Sequence, residues 1–154
     1  MKTTLSCILA ALVSFSSSVL AATSLVLEAN DNLSIVDSSG ASLMSLPSGS
    51  IGKKITADNQ AFKLSFGEDL NNRHTLIIYP DPSSPQSLDL VILGQPVTMS
   101  KDSVLTVTAS QDGSAAQFQA GVLGQITVAG STVAPGGSQS VQNGNVVASP
   151  PQTL

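Results

Sequence analysis

Apolar residues in this chain recur at every second position and almost nowhere at every third or fourth. Leu25 and Leu27 alternate, then Leu33 and Ile35, with Leu43 following after a turn. Phe62, Leu64 and Phe66 flank Lys63 and Ser65. Leu105, Val107 and Ala109 oppose Thr106 and Thr108, and Ala116, Phe118 and Ala120 oppose Gln117 and Gln119. Val122, Ile126 and Val128 are expected on one side of a further strand, with Gln125 and Thr127 on the other. A period of two sets apolar side chains on one face of a strand. Beyond residue 22, only Thr56 to Phe62 admits a short helical turn, with Asp58 as its cap.

Two runs, Leu76 to Tyr79 and Leu88 to Leu93, are continuously apolar, as in strands buried on both faces or central in a sandwich. Asp37-Ser38-Ser39-Gly40 reads as a tight hairpin loop. The expected fold is all-β: an antiparallel β-sandwich or partly closed barrel of roughly eight to ten short strands. Pro80, Pro82 and Pro85 separate the two apolar runs and Pro96 closes the second. They read as a loop between strands, or as guards on an aggregation-prone edge, because proline cannot donate a ladder hydrogen bond.

Residues 1–21 read as a secretory signal peptide. Lys2 supplies the positive start, Leu5 through Leu20 the apolar stretch, and Val19 and Ala21 the small residues at the −3 and −1 positions before cleavage. A retained anchor fits less well, because Ser14, Ser16, Ser17 and Ser18 interrupt the stretch. A lipoprotein site at Cys7 has too few residues before it. No second stretch reaches spanning length, so the expected product is periplasmic or secreted, with no membrane span after cleavage. Residues 22–129 are expected to form the β-sandwich domain. Residues 130–154 form a Gly/Ser/Asn/Gln-rich segment without a charged residue. Within it, Asn143-Gly144 flanked by valines signals a terminal hairpin pairing Val141 with Val146, followed by a frayed end from Ser149.

Cleavage removes the only cysteine, and five Lys and Arg then face ten Asp and Glu, a net charge of −5. That sign excludes a phosphate-neutralising nucleic-acid binder. His74 is the only histidine, expected in an exposed loop, and no Gly-x-Ser-x-Gly elbow accompanies it. With scattered acids alone beside it, no metal site is expected. Adjacent Glu68 and Asp69 suit a solvated loop better than acid-base work or a calcium loop. Lys53-Lys54 is too small for a polyanion site. Phe62, Phe66 and Phe118 are assigned inward, which leaves Tyr79 alone for stacking on a sugar or base. The expectation is a non-enzyme with no catalytic residues, cofactor or metal.

Three N-terminal segments carry a resemblance: Thr23-Ser24-Leu25-Val26-Leu27, then Leu33-Ser34-Ile35-Val36-Asp37 with Gly40, then Ala61-Phe62-Lys63-Leu64-Ser65-Phe66. Together they resemble the opening of the YccT-like family of small periplasmic proteins, associated with restraint of curli amyloid assembly. The similarity spans roughly residues 22 to 66, and the family's later region has no counterpart here. It implies no catalytic residue. It does imply a protein partner, and with it an exported β-domain that binds envelope or extracellular proteins and modulates fibre or surface assembly. The alternative, suggested by the uncharged C-terminal segment, is a structural subunit or adhesin-like module.

Mass spectrometry of the exported protein should find a new N-terminus at Ala22 or Thr23. Recovery of Met1 on the envelope-bound form would refute cleavage.

Overall fold

The alternating runs become strands, and each strand turns its apolar set toward the same interior. The computed structural model describes residues 22–83 and 87–147. The expected signal peptide and the chain end from Ser149 lie outside the described residues. Fourteen strands and no helix occur among the described residues. They are β1 (Thr23–Leu27), β2 (Leu33–Val36), β3 (Ser42–Leu46), β4 (Ser50–Ala57), β5 (Gln60–Glu68), β6 (His74–Pro80) and β7 (Leu88–Ile92). The remainder are β8 (Gln95–Met99), β9 (Leu105–Ala109), β10 (Ala115–Ala120), β11 (Ile126–Val128), β12 (Ser131–Val133), β13 (Ser138–Gln142) and β14 (Asn145–Val147).

Two seven-stranded sheets result. The first runs β14-β13-β10-β9-β6-β5-β4 and the second β12-β11-β8-β7-β1-β2-β3. Both keep open edges, so the architecture is a sandwich and not a barrel. The chain lays β1–β3 into the second sheet and β4–β6 into the first, then adds hairpins to the two sheets in turn. Every ladder is antiparallel except that between β1 and β7, which joins Thr23 to Leu90, Ser24 to Val91 and Leu25 to Ile92.

Leu25, Ile35, Phe62, Leu64, Leu76, Val107 and Phe118 meet in one buried cluster between the sheets. The run Leu76–Tyr79 departs from the expected burial on both faces. Leu76 and Ile78 are buried, whereas Ile77 is 39% exposed on the outer face. Val122 is also outside: it lies in the loop before β11, 79% exposed, while Ile126 and Val128 are buried.

Several strands carried weak sequence signals. β4 contains Gly52, Lys53 and Lys54, β8 begins Gln95-Pro96, and β12 has three residues. Thr56 to Phe62 makes a two-residue hairpin turn instead of a helical turn. Asp58 (φ 52°) and Asn59 (φ 62°) both take the left-handed region that such turns need. Asn143-Gly144 turns the same way, and Val141 stands opposite Val146. Residues 131–147 supply strands to both sheets, so the change in composition at residue 130 marks no structural boundary.

Phe118 has no exposed surface, so Phe118→Ala should destabilise by about 3–5 kcal/mol. Gln117→Ala and Gln119→Ala, on the exposed face of β10, should each change stability by under about 0.5 kcal/mol. Urea denaturation of the three variants measures the contrast.

Candidate functional site

His74 does not occupy an exposed loop. It is the first residue of β6 and has no exposed surface; its ring stacks on Phe66 with centroids 5.5 Å apart. The loop ends one residue earlier, and the inward face of β6 claims position 74 together with Leu76 and Ile78. Period-two counting back from Leu76 would have placed it there. The two neighbouring acids point to separate partners. Glu68 accepts from Gln111 Nε2 at 2.8 Å, and Asp69 accepts from Arg73 Nε at 2.9 Å. Among the described residues no three His, Cys, Asp or Glu side chains gather as a metal set.

The polar groups that converge do so between sheets. Asp58, in the β4–β5 turn, accepts from Thr23 Oγ1 at 2.6 Å and from Ser38 N at 3.0 Å, both in the second-sheet half of the chain. Gln60 Nε2 donates to Asp89 O at 2.9 Å, and Asp89 N donates to Gln60 Oε1 at 2.7 Å. β1 begins opposite Leu90, so Asp89 has no strand beside it there, and the Gln60 amide takes that place. At the opposite end Gln95 Nε2 donates to Gly144 O at 2.9 Å.

The apolar run Leu76–Tyr79 lies in β6 between β5 and β9, and Leu88–Leu93 begins in β7 between β8 and β1. Pro80 ends β6 opposite Phe62, Pro96 stands opposite Val91, and Pro82 lies in the link between sheets. None of these prolines guards an edge, and Pro85 lies outside the described residues. The true edges are β3, β4, β12 and β14. Each is blunted. β3 and β4 are bulged, and β12 and β14 have three residues each. Lys53 stands opposite core-facing Leu64, which places a charge on the inward register of edge strand β4. Lys54, on the outer side, approaches Asp81 at 3.7 Å.

One broad surface is the outer face of the first sheet. Two rows cross five strands in register: Gly67-Thr75-Thr108-Gln117-Ser140 and Ser65-Ile77-Thr106-Gln119-Ser138. Neither row holds a charge. Their β5 end opens into a shallow groove of about 350 Å³ lined by Ile51, Ser65, Gly67, Thr75 and Ile77, with the acids Glu68 and Asp69 at one end. Ile51 is 81% exposed beside it. Tyr79 lies in the next row, opposite Lys63. Sequence reading assigned Thr106, Thr108, Gln117 and Gln119 outward, but the alignment of five strands into an uncharged plane needs the register.

Comparison of the chain with family models, with curated proteins and with solved structures finds no match.

Hydrogen bonds hold several carboxyls below their ordinary range. Ser39 does so for Asp37, and Ser114 pulls Asp112 down to about 2. For Asp58, burial opposes the ionised form, but Ser38 and Thr23 outweigh it and the net direction is down. Carboxyls lowered by folding add stability above their unfolded values, and that stability is lost as pH falls through the folded ones. The urea midpoint should therefore drop between about pH 4 and 2. Asp58→Asn should show a shallower drop over the same range.

Proposed function

We propose that the chain is an exported, non-enzymatic β-domain that binds envelope or extracellular proteins and modulates fibre or surface assembly through the outer face of its first sheet. The uncharged pair of rows on that face carries the reading. A solvated sheet face ordinarily interleaves charges that repel other sheets, and this one presents hydroxyls, amides and Ile77 across five strands. Such a plane suits an equally uncharged, Ser/Thr/Gln/Asn-rich segment of a fibre subunit. The N-terminal resemblance to a family associated with restraint of curli assembly supports the same direction.

The blunted edges favour a modulator over a structural subunit. A subunit that adds strand to strand needs an open edge, and bulges, inward Lys53 and three-residue strands oppose that at all four. The face offers a docking surface without a template for continued growth.

The test follows polymerisation of a curli subunit by thioflavin fluorescence in the presence of the mature domain. The parent should lengthen the lag, and Ile77→Lys or Thr108→Lys should abolish that effect while leaving the unfolding free energy in urea within about 0.5 kcal/mol of the parent's. Light scattering should show the domain alone as a monomer or dimer. Concentration-dependent polymers of the domain would favour the subunit reading, and an unaltered lag would remove the modulator reading.

A further inference from the structure

The only buried side-chain polar atoms without a hydrogen-bond partner among the described residues are Nδ1 and Nε2 of His74. Buried polar groups are nearly always paired, so an imidazole left bare on both sides asks for a reason. Facing it is Asp31, in the turn between β1 and β2, with a left-handed backbone (φ 65°) and a side chain 58% exposed. Its Oδ1 lies 3.5 Å from His74 Nε2. That is ion-pair distance but too long for a good hydrogen bond.

We propose that His74 and Asp31 form a proton-operated clasp between the two sheets. A proton taken from solvent turns the imidazole into a cation with an N–H at each nitrogen. Nε2–H then donates to Asp31 Oδ1 and draws the β1–β2 turn onto the first residue of β6.

The surroundings leave Asp31 as the partner. On β5, Phe66 stacks on the ring, and Glu68, the register partner of His74, accepts from Gln111. On β9 the register partner is Ala109, which carries no charge. Arg73, next in sequence, is spent on Asp69 at 2.8 Å, which offsets its repulsion of a second cation. Asp112, in the β9–β10 loop, accepts from Ser110 and Ser114. No third His, Cys or carboxylate completes a metal set with the pair among the described residues, so the ligand that fits is a proton.

Histidine ordinarily changes charge between about pH 5 and 8. Burial of the ring opposes its charging, so the clasp operates by the Asp31 attraction outweighing that cost. Stabilisation from the charged pair is present at low pH and lost as pH rises. The carboxyls that folding lowers act in the opposite direction, and below about pH 4, so the two regimes do not overlap.

Urea unfolding of the mature protein at pH 8 and pH 5 tests the clasp. Asp31→Asn changes an exposed side chain and should match the parent at pH 8. At pH 5 its unfolding constant should exceed the parent's by about 2–5-fold. His74→Phe, which preserves the stack on Phe66, should be at least as stable as the parent at pH 8 and lose that standing at pH 5. Glu28 N donates to Asn32 O at 2.8 Å and closes the β1–β2 turn. Its amide exchange, corrected for its intrinsic rate, should slow from pH 8 to 5 in the parent and not in Asp31→Asn. A parent-to-Asp31→Asn ratio that is equal at both pH values, or Glu28 exchange unaffected by the substitution, would overturn the proposal.

Discussion

The second sheet depends on one short parallel seam. Its two antiparallel parts, β3-β2-β1 and β7-β8-β11-β12, meet only where Thr23, Ser24 and Leu25 lie beside Leu90, Val91 and Ile92. Parallel pairing is slightly weaker per residue than antiparallel pairing. One further backbone bond, from Leu93 N to Leu25 O at 3.0 Å, extends the seam. The apolar face of β1–β3, with Leu25, Leu33, Ile35 and Leu46, is dry only while the seam holds those strands over the other sheet. Burial and seam therefore stand or fall together.

The few charged and amide side chains matter because they brace this arrangement. Asp58 fixes the start of β1 and the β2–β3 loop to the first sheet, and Gln60 completes the backbone pairing of Asp89 where β1 begins too late to do so. Charge-assisted hydrogen bonds are worth more than neutral ones. A chain with 10% charged residues has placed one carboxylate where it bridges three segments.

Strands with strict alternation were legible because burial on one face writes itself into every second residue. β5, β9 and β10 read this way, and Phe62, Val107 and Phe118 are buried as their spacing implies. The strands that escaped notice are short, lie at an edge, or, like β8 with buried Gln95 and its neighbour Pro96, place a polar residue inward and break the pattern. Turns escaped for a different reason. Leu93-Gly94 and Ala129-Gly130 form two-residue hairpin turns with Leu93 at φ 51° and Ala129 at φ 50°. Neither residue type favours that region, so packing on both flanking strands must impose it. The candidate face was legible residue by residue but not as a plane, because register between strands distant in sequence is not written in either strand alone.

Chain order adds a constraint that connects the seam to the edges. β1 emerges first, yet its neighbour β7 follows some 60 residues later, after the whole of β4–β6. Until β7 arrives, β1 is itself an open edge, uncharged, with Leu25 and Leu27 ready to pair with another chain. Long-range parallel pairing is slow because loop closure must precede its contacts. The finished domain blunts all four of its permanent edges, but this temporary one has no such device in its own sequence. Only folding speed and the Asp58 cross-link limit its exposure before β7 arrives, because the partner of Gln60, Asp89, lies in β7 itself. A chain that can seat Thr23 on Asp58 before Leu88 appears has already fixed β1 in place against the first sheet. The position of Asp58, between the edge it stabilises and the strand that closes it, thus suits the order in which the sandwich has to be assembled.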